Sequence, residues 1–595
     1  MPASAKLTRA LVDTAMGRTP ADTVILNGQW VCVQSGEIIP ATDIAIKDGH
    51  VAYVGESARH TIGKKTKVID AGGRYLVPGL LDGHMHVESG MVTVTEFVRA
   101  VAVRGTTGMF IDPHEIANVF GLKGVKLMVD EAQKQPIHVW VQMPSCVPSA
   151  PGLETPGASI GPKEVATAMK WKGIIGLGEM MNFPGVFMGD KKMLEEMAVT
   201  HAHGKTVGGH YASPDLGLPF HGYAAGGAED DHEGTRLEDA VVRVRQGMKA
   251  MLRYGSAWLD VASQVGAVTK LGLDPRHFIL VTDDSHAQTL SHEGHMDRVL
   301  RHAIEQGLPP MTAIQMMTIN TAEHFGVAKE MGMIAPGRWA DVVIVEDLRD
   351  FHADLVIAKG QVIAEHGKWK VSLPKFSYPS WAVNSVHLKK PLKADDFKLP
   401  VKGQKSQVKA NVIGVIENQA PTRHLTFDLQ PENGEIKPDL ARDIAKIALV
   451  ERHKSTGGVT VGLVSGFGFT EKCAVASTVA HDSHHMIVVG TDEASMAVAA
   501  NSLARSGGGQ VVVKDGKVIG KVELKIAGLM STERAEVVAR KAETILQGFR
   551  ACGCTLNNPN MQLSLLALVV IPELRISDKG LVDVTQFKFI PVLEE

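Results

Sequence analysis

The sequence predicts an α/β protein: a (β/α)8 TIM-type barrel with a small split β-sandwich domain and an additional C-terminal α/β domain. Three observations lead there. Between residues 76 and 326, short apolar, strand-like runs alternate eight times with helix-like segments, over a length close to the ~250 residues typical of such barrels. On both sides of that segment, short strands are punctuated by Gly-containing turns such as Asn27-Gly28 and Asp48-Gly49, the signature of hairpins. Beyond residue 400 strands and helices resume after a stretch rich in Pro, Lys and Ser. A doubly wound open sheet is the alternative for the central segment.

Taken in order, residues 1–22 read as a helix and then a loop. Residues 23–75 read as strands, and the same texture returns over 327–375, so the two ends are expected to combine in one small sandwich. Barrel strands are expected at 76–87, 106–115, 137–145, 173–182, 205–210, 224–233, 250–257 and 278–285. Helices are expected between them at 92–104, 119–134, 162–172, 191–203, 236–246 and 259–271. Residues 371–398 read as a linker, and 400–595 as a separate domain with helices at 439–452, 492–504 and 531–548. The domain boundaries that follow are 1–75, 76–326, 327–375 and 400–595.

Composition narrows the function classes. At 595 residues the chain needs more than one core, and 44% hydrophobic with 21% charged residues is ordinary for a globular protein. A net charge of −3 leaves no basic excess to neutralise phosphates, so no nucleic-acid partner is expected. No apolar run reaches the length of about eighteen residues that a membrane helix needs, and residues 1–23 lack the apolar core of a signal peptide. Five cysteines in so long a chain do not make a disulfide framework. A cytoplasmic protein with reduced thiols is expected, assembling as a homo-oligomer, with a dimer as the working state. The Cys552-Gly-Cys554 pair has no second pair to complete a metal site and reads as structural.

The chemistry centres on residues 77–89, V-P-G-L-L-D-G-H-M-H-V-E-S. On a strand, His84 and His86 project from one face, where two imidazoles can hold a divalent metal. With 25 histidines, one such pair is expected by chance, and His201 and His203 form a second in a helical segment where i and i+2 diverge. Other strand ends decide the matter. They offer Glu179 in G-L-G-E-M-M-N, His210 in T-V-G-G-H-Y, His232 in A-E-D-D-H-E and Asp283 in L-V-T-D-D-S. Four imidazoles and two carboxylates suit two divalent cations ~3.5–4 Å apart, with one carboxylate bridging them. Imidazole with carboxylate suits Zn, Mn or Fe.

These motifs, with N-T-A-E-H-F-G and the closing A-P-G-R-W-A-D-V-V-I, resemble the amidohydrolase superfamily. D-P-H-E-I-A-N-V at 112–119, H-V-E-S, G-L-G-E-M-M-N, D-D-H-E and A-H-D-S-H-H at 480–485 are similar to the bacterial adenine deaminases, over essentially the whole chain. The resemblance implies two metal ions, Mn or Fe before Zn, with Glu179 in place of the carbamylated lysine of many relatives. It implies a metal-bound hydroxide attacking C6 of adenine, giving hypoxanthine and ammonia. His485 stands where Asn is expected, and Asp230-Asp231 where Ser-Asp is expected, which bears on the exact purine.

Within that implied reaction Asp283 would accept the proton of the attacking water, with Asp284 as its alternate. Glu233 is either a protonated donor to the ring nitrogen beside C6 or a partner orienting His232. Glu88, Ser89, Asp112, His114, Glu115 and Asn118 would bind the purine edge, hold a further metal or fix loops. His481 and Asp482, with His484, form a surface turn or, as the resemblance implies, help close the site. Two other functions share the same residues: an amidohydrolase cleaving another amino-purine or an amide or cyclic amide, and an inactive metal-binding scaffold. The zinc deaminases that use P-C-x-x-C are excluded, since no C-x-x-C occurs.

Overall fold

The computed structural model describes residues 4–594. After the helix Ala5–Ala15, the strands Thr23–Cys32, Glu37–Lys47, His50–Gly55, Lys67–Asp70 and Tyr75–Pro78 share one nine-stranded sheet with Val342–Val345, Ala353–Ala358, Gln361–Glu365 and Lys368–Trp369. The two ends of the chain meet where Tyr75–Pro78 runs antiparallel to Val342–Val345, with Val77 opposite Val343. Ile25, Ile44, Leu76, Val342 and Ile357 are buried against one another there. That apolar seam is what ties a segment near residue 30 to one near residue 350.

The barrel strands, numbered here in chain order, are β1 (Leu80–His86), β2 (Thr106–Ile111), β3 (His138–Met143), β4 (Ile174–Met180), β5 (Thr206–Gly209), β6 (Asp230–Asp231), β7 (Lys249–Arg253) and β8 (Phe278–Val281). Parallel pairing runs from β1 through β5 and again from β6 through β8. Between β5 and β6 the Glu229 N–H donates to the Val207 carbonyl at 2.9 Å. The ring closes where Asp283–Asp284, the continuation of β8, lies parallel to Met85 and His86 of β1. The open-sheet alternative is therefore excluded. Leu81, Phe110, Met251, Ile279 and Val281 fill the lower interior together with Phe325 and Met331. Polar side chains are left to the upper end, as in barrel enzymes generally.

Several expectations are corrected. Strand 224–233 shrinks to Asp230–Asp231, because Leu218–Ala225 is helical behind a Pro219 at its first turn. Strand 106–115 stops at Ile111, and His114 opens the helix His114–Phe120 instead. The helix expected at 439–452 is a single turn, Leu440–Arg442, followed by the strand Ile444–Val450. All seven residues of that strand are buried, so the short apolar run follows its two neighbouring strands rather than a helical period. Residues 371–398 are packed rather than loose: the Tyr378 hydroxyl donates to Glu131 Oε2 at 2.6 Å, and Leu392 and Phe397 are buried.

The C-terminal part is built on a second nine-stranded sheet that includes Val408–Val415, Ile444–Val450, Met486–Gly490 and Gly509–Lys514. The helices Glu493–Ser506 and Ala535–Ala551 pack on it. It lies against the barrel mouth, where the Ser531 N–H donates to the Met91 carbonyl at 2.8 Å. The turn at 480–485 and the helix Pro559–Leu565 reach over the strand ends. Among the described residues no helix is long and apolar enough to cross a membrane.

Candidate metal centre

The tip of β1 sets the frame. Met85 turns outward into the core, so His84 and His86 face inward from the two flanking positions, both buried. Below them Asp82 accepts from the Thr282 hydroxyl at 2.5 Å, which holds the ends of β1 and β8 together. The His86 Nδ1–H donates to the Asp112 carbonyl at 2.8 Å, leaving Nε2 directed into the barrel.

Glu179, at the tip of β4, stands between two groups of imidazoles. Its Oε1 lies 3.5 Å from His86 Nε2 and 3.1 Å from His114 Nδ1. Its Oε2 lies 3.1 Å from His232 Nε2 and 2.5 Å from His210 Nδ1. Asp283 Oδ1 completes the ring at 3.3 Å from His86 Nε2 and 4.0 Å from His84 Nε2. Asp283 adopts φ of 62°, in the left-handed region, a conformation costly for a non-glycine residue and common where a side chain must be aimed. The six side chains expected from the strand ends are thus brought together, and Asp283, not Asp284, faces the imidazoles.

Burial opposes charge at every one of these groups, and neighbours decide the outcome. Burial raises the Glu179 carboxyl, but His210, His114 and His232 hold it well below the usual carboxylate range. Burial likewise opposes the Asp283 carboxylate, and hydrogen bonding to His86 and the charge of Arg253 hold it low. His210 is pushed up to about 9 despite its burial, by Glu233 and Glu179. Burial, reinforced by His232 and His86, drives His84 well below its ordinary value. A neutral imidazole of that kind is a metal ligand in waiting.

The donor set fits divalent cations. His84 Nε2 and His232 Nε2 are buried without a hydrogen-bond partner, which costs free energy unless something binds them. His84, His86 and Glu179 offer ligand atoms within 4.8 Å of one another, as do His84, His232 and Asp283, and Glu179, His210 and His232. Nitrogen and oxygen donors without thiolate suit Zn, Mn or Fe.

A cavity of about 640 Å³ opens above these groups, walled by Phe183, Trp258, Glu233 and His481 among others. A second, of about 530 Å³, adjoins it and is lined by Glu88, Ser89, Glu115 and Asp284. Asp284 accepts a short hydrogen bond from the Ser89 hydroxyl. Glu88, pushed up to about 8 by burial and by Glu115, accepts weakly from the Ile116 N–H at 3.4 Å. Asp112 and Asn118 do not line either cavity. Asp112 Oδ2 accepts the Glu179 N–H at 2.8 Å and Asn118 donates to the His114 carbonyl at 3.0 Å. Asp112 Oδ1 is buried without a partner, and the Asp112 carboxylate lies within 4.8 Å of ligand atoms of His114 and Glu179. His485 is also turned away, bonded to the Thr155 carbonyl at 2.7 Å.

Arg253, at the tip of β7, escaped the sequence reading. It is fully buried, bonds closely to Glu233 and donates to Asp283 Oδ2 at 2.9 Å. Its signal was positional: β7 is a barrel strand whose tip, M-L-R-Y, carries a charge in an otherwise apolar run. Glu233 is thereby paired with a guanidinium and sits 3.6 Å from His232 Nε2.

Residues 75–363 match the model of the amidohydrolase family, and residues 419–588 that of the adenine deaminase C-terminal domain. An adenine deaminase of Mesorhizobium japonicum is 64% identical over 97% of this chain and 96% of its own. Adenine deaminase 3 of Rhizobium meliloti is 61% identical over 98% of both. The adenine deaminase of Moorella thermoacetica is 50% identical over 99% of this chain and 98% of its own. Similarity of that extent places each of the six converging side chains within the matched length, and the chain belongs to the adenine deaminase family of amidohydrolases.

Proposed function

We propose that this protein hydrolyses adenine to hypoxanthine and ammonia. The observation that carries the reading is the match along nearly the whole chain to relatives named adenine deaminase, C-terminal part included. The geometry supports it, since the six ligand-type side chains converge beneath a cavity roomy enough for a purine.

In this reading His84, His86, Glu179, His210, His232 and Asp283 would hold two divalent cations, Mn or Fe in preference to Zn, with Glu179 the carboxylate within reach of both imidazole groups. When bound, such a pair polarises water and brings its pKa towards neutrality. Asp283, oriented by Arg253 through Oδ2, would accept the proton of the attacking water. The C6–O bond forms, the C6–N bond breaks, and Asp283 returns the proton to the departing amine. Glu233, held by Arg253, serves as the partner that positions His210 and His232, from which its Oε1 lies 3.8 and 3.6 Å. Phe183 and Trp258 offer apolar faces to the purine plane. His481 and Asp482 close the mouth from the C-terminal side.

The division into a split sandwich (1–75 with 327–375), a barrel (76–326) and a C-terminal α/β domain (400–595) accompanies this reading, supported by the separate sheets. A cytoplasmic setting is supported by five buried, free cysteines. Steady-state ammonia release from adenine, with ring opening of hydantoins and deacylation of acylated amino acids followed by mass spectrometry as controls, tests the function. Turnover of a control in place of adenine overturns it.

A further inference from the structure

His114, His481 and Asp482 form a second constellation of metal-type donors, sharing no member with the six side chains assigned to the paired cations. Their ligand atoms all lie within 4.8 Å of one another. His114 Nε2 is 4.0 Å from Asp482 Oδ1, and His481 Nδ1 is 3.5 Å from the same oxygen. In a tetrahedral site with bonds of ~2.0–2.1 Å, neighbouring ligand atoms stand roughly 3.4 Å apart. The His481–Asp482 edge already matches that spacing, and the His114–Asp482 edge is about 0.6 Å longer.

Two of the donors are oriented by groups outside the constellation. His114 turns Nδ1 towards Glu179 Oε1 at 3.1 Å, which leaves Nε2 for the constellation. Asp482 is 1% exposed, and its Oδ2 accepts a short hydrogen bond from the Ser149 hydroxyl. Its Oδ1 is buried and has no hydrogen-bond partner, an arrangement that is costly unless a cation or proton donor occupies the gap. His481 borders both cavities, so the remaining coordination positions face solvent-accessible space. Held from behind and open in front is how ligands are arranged for a metal that keeps water.

We propose that His114, His481 and Asp482 bind a third divalent cation, which cross-links the barrel to the C-terminal turn over the active-site mouth. Two imidazoles and one carboxylate select a borderline transition ion over Ca(II) or Mg(II). Because His114 opens the helix after β2 and the other two come from the turn at 480–485, the cation would tie down the cover of the site.

Equilibrium dialysis of the metal-free, full-length protein against Zn(II), with bound metal counted by mass spectrometry, tests this. Zn(II) is chosen because it binds such donors more tightly than Mn(II). The wild type is expected to hold one equivalent more than Asp482→Asn and His481→Gln, while both variants keep the equivalents lost in Glu179→Gln. Both substitutions nearly preserve shape, and circular dichroism confirms that each variant is folded. Equal counts in wild type and both variants overturn the third site and leave the paired-cation reading standing. A Glu179→Gln protein with the full wild-type count overturns the paired-cation reading instead. An adenine KM raised in Asp482→Asn at unchanged metal count assigns these side chains to purine binding and refutes the proposal.

Discussion

Arg253 donates to Asp283 Oδ2 at 2.9 Å from the same guanidinium nitrogen that meets Glu233. It thereby links the tips of β6, β7 and β8 through one buried cation, with Asp260 as a further partner at 2.9 Å. Burial opposes the arginine charge, but Glu233, Asp283 and Asp260 push its pKa above the ordinary arginine value. Removing it leaves three carboxylates facing one another without compensation. Arg253→Met should cost about 3 kcal/mol or more, read as a lower thermal unfolding midpoint. Arg253→Lys, which keeps charge but not the fork, should fold and lose at least about tenfold in kcat. Wild-type kinetics in Arg253→Lys would remove the arginine from the argument.

Glu179→Gln replaces the one carboxylate that touches both imidazole groups. The expected outcome is loss of measurable adenine turnover together with loss of bound metal by elemental analysis. Near-normal turnover would refute the bridging role.

Gly178 leaves room for Asp112. A Cβ at Gly178 would lie 2.1 Å from Asp112 Oδ2, the oxygen that receives the Glu179 N–H. Gly178→Ala should therefore displace Asp112 and, through it, both Glu179 and the carbonyl that orients His86. A shift of about 1 Å at reacting groups costs on the order of a hundredfold in rate, so kcat/KM should fall by about that much although no ligand is altered.

Glu196 lies in the helix Lys191–Ala202, fully buried, and neither carboxylate oxygen has a hydrogen-bond partner. Burial pushes its pKa up from 4.5 to about 8, with Lys192 only partly opposing. Between those values the folded chain keeps a proton that the unfolded chain releases, so stability falls as pH rises through the window. Below pH 4.5 the contribution is fully present, and above about 8 it is lost. Glu196→Gln should raise the unfolding midpoint by several degrees at pH 8 and change it little at pH 4.5. Parallel pH profiles for both proteins would contradict the assignment.

How much of the site could be read in advance depends on how far apart its parts lie in the chain. His84 and His86 were legible because two residues of strand place them on one face. Glu179, His210, His232 and Asp283 were legible as the polar ends of successive apolar strands. The strand Ile444–Val450 was misread, since a short run that is apolar but for Lys446 carries no period. Asp112 and Asn118 each bond a backbone group from beneath the site, and side-chain type alone does not reveal such a partner.

By itself the sequence determined the barrel, the split sheet and the six ligand-type side chains, because each rests on local periodicity repeated along the chain. Only the tertiary structure decided that Asp283 rather than Asp284 faces the imidazoles, that Arg253 anchors it, and that His481 and Asp482 come within reach of His114. Those are contacts between segments tens to hundreds of residues apart. They are set by ring closure and by packing of the C-terminal sheet on the barrel, where burial selects partners that no local pattern encodes.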